Sequence, residues 1–264
     1  MVTQTNIEWT ESTWNPVRGC SRVSEGCRYC YAERIAARFA QKGLAYEGIA
    51  KMTSAGPRWT NRVQRVPDVL DQPLKWKKPR LIFVNSMSDL FHEDVPLKYI
   101  QEVFDVMRRA DRHQFQVLTK RAERLAELSS KLRWPPNVWM GVSVESAEYT
   151  FRIDYLRATE AQLKFLSLEP LLGRLRQLRL DGIHWVIVGG ESGPGARPMN
   201  EAWVAEIRDR CREDSVPLFV KQMGTVWARN RSLNAVNVRS RGRKGDNMSE
   251  WPADLQIRDY PKWS

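Results

Sequence analysis

The sequence predicts an α/β fold, a partial or nearly closed TIM-like barrel of six or seven βα units. Two patterns carry that expectation. Short runs rich in β-branched and aromatic residues alternate with segments whose apolar residues recur at helical spacing, as in parallel strands joined by crossover helices. The strand-like runs also switch from apolar to polar at their C-terminal ends, where barrels of this kind gather reactive groups. A chain of 264 residues is long enough to bury such a core.

Taken in order, residues 12–18 read as the first strand and 31–42 as the helix after it. A strand at 81–85 leads to a helix at 97–110, with Pro96 at its start. Strands at 115–119, 138–143 and 164–168 alternate with helices at 121–131 and 146–158. Strands at 184–188 and 217–221 flank a last helix at 200–213, for which Asn200 is the expected cap. The barrel is thus expected over 1–224, with an insertion at 43–80 and a basic extension at 225–264 packed on the barrel. No internal repeat interrupts this order.

The chain carries a formal charge of +11 and a pI near 9.7, which points to a polyanionic partner. Nucleic acid, DNA in the first instance, or a modified nucleoside fits that charge. The insertion holds Lys77, Lys78 and Arg80; the stretch 226–245 holds Arg241, Arg243 and Lys244 and no Asp or Glu. These six are the expected nucleic-acid contacts, a basic rim around the barrel mouth. No run of 18 apolar residues and no signal-peptide pattern occurs, so a soluble, cytoplasmic protein without a membrane partner is expected. Trp59 and Trp227 lie near arginines and suit either the core or stacking on an exposed base.

The most specific motif lies near the N-terminus: Gly19-Cys20-Ser21-Arg22-Val23-Ser24-Glu25-Gly26-Cys27-Arg28-Tyr29-Cys30-Tyr31. A structural zinc site normally wants four ligands, and His92, His113 and His184 are all distant in sequence. A disulfide framework prefers an even cysteine count in a small secreted chain. Three cysteines suit a [4Fe–4S] cluster that leaves one iron open to a non-protein ligand, with zinc as the alternative. The fourth, Cys211, falls within a helical pattern and reads as a packed free thiol.

The ending Cys27-Arg28-Tyr29-Cys30 resembles the signature of the radical S-adenosylmethionine superfamily, three cysteines closing in Cys-x-aromatic-Cys. The departure is the first spacing, six residues between Cys20 and Cys27 where three is usual. The chain also resembles a phage-associated family named for its three-cysteine motif. That resemblance rests on Ile7-Glu8-Trp9-Thr10, Asn85-Ser86-Met87-Ser88-Asp89-Leu90-Phe91-His92, Leu118-Thr119-Lys120-Arg121, Gly141-Val142-Ser143-Val144-Glu145, Ser167-Leu168-Glu169-Pro170 and Val188-Gly189-Gly190-Glu191-Ser192-Gly193.

The resemblance implies a radical-SAM-type barrel with a [4Fe–4S] cluster on Cys20, Cys27 and Cys30, S-adenosylmethionine on its open iron, and an external one-electron reductant. It implies Tyr29 beside the adenine. It puts Asn85, Ser86, Ser88 or Asp89 near the methionyl amino group, and Ser143 and Glu145 near the ribose. Glu169 joins the cofactor-binding set as another strand-end carboxylate. Lys120, Glu191 and Lys221 are the candidate catalytic groups, at the third, sixth and seventh strand ends. Gly189-Gly190 reads as a turn that lets backbone approach cofactor or substrate.

The function this implies is a radical enzyme. A 5′-deoxyadenosyl radical would abstract hydrogen from a modified nucleobase, as in thymine hypermodification of phage DNA, with isomerisation of an aminoacyl substituent as one form of it. Such a base in duplex DNA has to be flipped out. Two alternatives stand beside it: a pyrimidine-damage repair lyase using the same cofactors, and a non-enzymatic, metal-stapled nucleic-acid-binding protein.

Overall fold

A computed structural model of the chain describes residues 5–234 and 244–262. The chain forms two compact units, residues 1–142 with 158–163, and residues 143–157 with 164–264. The fold is mixed α/β with a seven-stranded parallel sheet.

The first unit begins with β1 (Ser12–Trp14), β2 (Val17–Arg18) and α1 (Tyr31–Arg38). The insertion then supplies a hairpin, β3 (Ala50–Thr53) and β4 (Gly56–Trp59), and a short strand, β5 (Gln64–Arg65). β6 (Leu81–Val84), α2 (Leu97–Arg109), β7 (Gln114–Thr119), α3 (Ala122–Ser129) and β8 (Val138–Ser143) follow. β1, β6, β7 and β8 pair in parallel, each with the next. All six residues of β8 are buried, which is why its sequence reads as apolar on both faces.

The expected strand at 12–18 is divided. β1, at the edge of the seven-stranded sheet, stops before Pro16, which has no N–H to donate, and beyond it Val17 and Arg18 pair antiparallel with Arg65 and Gln64 of β5. α2 starts at Pro96 as expected and buries Ile100, Val103, Phe104 and Met107 at helical spacing. The insertion is part of this unit's packing. Ile49, Ala50 and Trp59 form a cluster with Ala32, Ala36 and Ala37 of α1, against which Cys20, Cys30 and Met87 pack. Trp59 is therefore core, not a base-stacking surface.

In the second unit, α4 (Phe151–Arg157) precedes β9 (Leu163–Leu168), β10 (Trp185–Gly189), α5 (Glu201–Glu213), β11 (Leu218–Gln222) and α6 (Thr225–Asn234). β9, β10 and β11 pair in parallel. Asn200 caps α5 as expected, its side chain accepting from the Ala202 N–H at 2.9 Å. The extension opens with α6, which the sequence pattern did not suggest. Its later part runs back along β11: Phe219 and Arg258 form an antiparallel bridge, and the Val220 N–H donates to Ile257 O at 2.9 Å. Trp227 is buried and donates to Glu201, so it too is core. Arg241 and Arg243 lie outside the described residues. Among the described residues, no helix is long and apolar enough to cross a membrane.

Candidate functional site

The cysteine loop leaves β2 through Gly19, whose φ of +88° belongs to the left-handed region. A Cβ there would sit 2.2 Å from the Arg62 carbonyl oxygen, so the insertion lies directly on this turn. Gly19 also forms a parallel bridge with Ser88, which fastens the loop to the C-terminal end of β6. Cys27 closes a turn on Ser24 (N–H to O, 3.0 Å), and Cys30 caps the start of α1. Inside the loop Arg22 pairs with buried Glu33 of α1, and Glu33 Oε1 accepts the Trp59 N–H at 2.8 Å. The three cysteines are half-buried free thiols.

A buried arginine joins this loop to the ends of β6 and β7. Arg121 Nη1 donates to Asp89 Oδ2 at 3.0 Å and approaches Cys20 Sγ at 3.8 Å. Its Nη2 donates to Ser21 Oγ at 2.7 Å, and its Nε reaches Glu93 at 2.9 Å. Asp89 also accepts from Thr119 Oγ1 at 2.8 Å and from the Phe91 N–H at 2.9 Å. Burial, then the Asp89 carboxylate, push the Cys20 thiol up to about 12, and Arg121 only partly offsets this. Burial also raises Cys30. Arg121 itself is held above its ordinary range by Asp89, Cys20 and Glu93, which outweigh its own burial.

His92 is distant from the cysteines in sequence and beside them in the fold. Its Nδ1 accepts the Asp94 N–H at 3.1 Å, so Nε2 carries the proton and donates to Ser21 Oγ at 2.9 Å. Burial and Arg121 lower its pKa. Among the described residues, no three His, Cys, Asp or Glu side chains are grouped to hold a metal ion.

Of the groups expected near the methionyl moiety, three serve the protein itself. Ser88 Oγ donates to Val17 O at 2.8 Å, Ser86 Oγ to Asn15 Oδ1 at 3.2 Å, and Asp89 anchors Arg121. Asn85 differs. It sits at φ +60° after β6, its Oδ1 accepts the Val17 N–H at 3.2 Å, and its buried Nδ2 has no partner. Flipping the amide would face two donors, so this orientation is fixed. Tyr29 is half-buried beneath the Arg28 guanidinium at 5.7 Å. Lys120 is half-buried beside Asp89, its backbone N–H 3.4 Å from Oδ2.

The basic segment of the insertion is not with the cysteines. Lys77, Lys78 and Arg80 precede β6, at the end opposite Asn85 and the cysteine loop, where Arg80 stacks on Trp76 and donates to Ser12 Oγ at 3.1 Å. Chain direction alone separates this segment from the expected rim. Lys244 gives its carbonyl to the Gly224 N–H at 2.8 Å, in the second unit.

The strand ends of the second unit hold ion pairs. Buried Glu145 accepts from Arg152 Nη1 at 2.8 Å, and the same nitrogen donates to Ser143 O at 2.8 Å. Glu169 pairs with Lys221 at 3.1 Å, and Glu191 holds Arg197 through both carboxylate oxygens, at 2.7 and 2.9 Å. The glycine pair has a packing cause that replaces the expected ligand approach. A Cβ on Gly189 would meet Glu169 Oε1 at 2.6 Å, and one on Gly190 would meet Met223 O at 2.4 Å. Cys211 is a buried free thiol, as expected.

Fold and site together define a mixed α/β protein with a parallel sheet and a three-thiol loop fastened to its strand ends. The chain belongs to the family described as Protein of unknown function (DUF5131), which matches over residues 4–252. No curated protein and no solved structure matches it.

Proposed function

We propose that this chain is a radical S-adenosylmethionine enzyme with a radical-SAM-type barrel, in which Cys20, Cys27 and Cys30 hold a [4Fe–4S] cluster. The observation that carries this reading is the set of three free thiols on one loop, with Cys20 and Cys30 packed against the cluster of Ile49, Ala50 and Trp59. The partnerless Asn85 Nδ2 is the donor best suited to a carboxylate, such as that of the methionyl group.

The cluster, when bound, supplies one electron to S-adenosylmethionine, whose cleavage yields the radical that takes hydrogen from the substrate. The chain's own residues hold and shield. Arg121 brings a fixed positive charge and an N–H to Cys20, favouring its ligating thiolate. Ile49, Ala50 and Trp59 cover the packed side of Cys20 and Cys30 against water. Lys120, at the end of β7, is the proton-carrying group offered to the substrate in this unit. The charge of +11 supports a nucleic-acid substrate, with a modified thymine as the proposed base and a cytoplasmic site of action.

The test is release of 5′-deoxyadenosine from S-adenosylmethionine by the anaerobically reconstituted, chemically reduced protein. Release by wild type and none by Cys20→Ala, Cys27→Ala or Cys30→Ala supports the reading; no release by fully iron-loaded wild type overturns it. One observation favours a second reading, a zinc-stapled nucleic-acid-binding module. His92 Nε2 hydrogen-bonds Ser21, the residue after Cys20, and on giving up its proton to a metal it would supply the nitrogen donor that the cysteine motif itself lacks. Under that reading His92→Ala abolishes zinc binding.

A further inference from the structure

We propose that the cleft lined by Arg18, Arg62 and Gln64 is a phosphate site that holds the backbone of a polynucleotide beside the cysteine loop. The cleft, about 640 Å³, lies within the first unit. Arg18 of β2 and Gln64 of β5 are register partners, so their side chains start from opposite positions of one ladder. Arg62 stands two residues before Gln64. The proposal deepens the reading above by naming where its polyanionic substrate is held.

Three features set these arginines apart. The exposed Arg62 guanidinium has no ion pair or hydrogen bond among the described residues. Arg18 gives one N–H to Ala45 O at 3.3 Å and lies over the Tyr46 ring at 5.8 Å, and it too has no acidic partner among the described residues. Glu47 also lines the cleft, but its carboxylate is turned to the Gly43 N–H at 2.7 Å and pairs with neither arginine. Two guanidiniums facing one cleft with no carboxylate paired to either repel each other, and a phosphate relieves that cost through paired N–H donors.

The backbone around Arg62 is also built at a cost. Asn61 has φ +63°, Gly48 +68° and Gly19 +88°. Gly19 has to lack a side chain because Arg62 O would lie 2.2 Å from its Cβ, and a Cβ on Gly48 would stand 3.1 Å from Arg62 Nη1. Of these only Asn61 is a non-glycine residue held left-handed, a conformation that the surrounding packing has to sustain, as at ligand sites. Together the three residues fix Arg62 directly against the residue preceding Cys20. Leu44, Ile49 and Val63 add an apolar wall that suits sugar.

The test is a fluorescence-anisotropy titration of a labelled single-stranded oligonucleotide against the full chain at several salt concentrations. Arg62→Gln and Arg18→Gln are each expected to weaken binding roughly tenfold for every sequence, and to flatten the log–log salt slope by about one for each phosphate left without its arginine. Lys77→Gln with Lys78→Gln, at the other end of β6, is expected to leave affinity and slope unchanged. Inorganic phosphate serves as a competitor, and the account predicts that the oligonucleotide outcompetes it strongly. Unchanged binding in both arginine variants overturns the proposal, as does a loss seen only with Lys77 and Lys78. Equal affinity for inorganic phosphate and oligonucleotide overturns the polynucleotide assignment. The titration uses apo-protein, so it separates from the cluster reading. An arginine effect without iron uptake leaves the phosphate site standing alone, and iron uptake without an arginine effect leaves the cluster alone.

Discussion

At the scale of single residues, Arg121 governs the candidate site. It neutralises buried Asp89, spans to Glu93 and Ser21, and brings an N–H to Cys20. Arg121→Gln leaves the Asp89 carboxylate buried without its cation, which costs about 3–5 kcal/mol. Chemical denaturation of the apo-protein is expected to show that loss, and anaerobic reconstitution to show reduced iron uptake. Arg121→Lys restores charge without the planar fork and is expected to recover stability only in part. The cysteines were legible in the sequence because their motif is local. Arg121 and His92 were not, because each meets the loop from far along the chain. One signal did point to Arg121. Thr119 and Arg121 stand two residues apart at the end of β7 and both reach Asp89 through their side chains, whereas Lys120, singled out from the sequence, meets Asp89 through its backbone N–H at 3.4 Å.

At the scale of elements, the turn at Gly19 and the seam between the insertion and β7 carry the first unit's constraints. Gly19→Ala forces a side chain into a left-handed conformation and against Arg62 O, so a loss of about 1–3 kcal/mol is expected in a denaturant titration. His113, just before β7, is wholly buried; its Nε2 donates to Pro73 O at 3.0 Å while Nδ1 has no partner. Burial lowers its pKa from 6.5, so the folded state binds this proton less readily than the unfolded chain. Its contribution is present above about pH 6.5 and is lost as pH falls through the depressed folded value. The melting temperature of wild type is expected to fall more steeply below that pH than that of His113→Gln. The strands were legible because they are short apolar runs buried in a parallel sheet, as β8 shows. α6 was not, because Arg229, Asn230 and Arg231 interrupt any apolar stripe in Thr225–Asn234. The hairpin of β3 and β4 was missed because Gly56 and Pro57 read as loop, and its packing against α1 is tertiary.

At the scale of the whole molecule, the polar strand ends were legible in sequence, but their partners were not. Each carboxylate placed there reads equally well as a ligand-binding group or as half of an ion pair, and Glu145, Glu169 and Glu191 each hold a basic side chain. The net charge was legible as a total, while its placement depended on chain direction, which sets Lys77 and Lys78 at the far end of β6 from Cys20. The central claim, that this loop holds a cluster and not a single ion, meets its most direct test in the metal content of the anaerobically reconstituted protein. The account predicts about four irons per chain, with a cubane spectrum that shifts when S-adenosylmethionine is added. It predicts loss of both in Cys20→Ala, Cys27→Ala and Cys30→Ala, and retention of both in Cys211→Ala. One tightly bound zinc with no iron, or iron retained in all three loop variants, would contradict it.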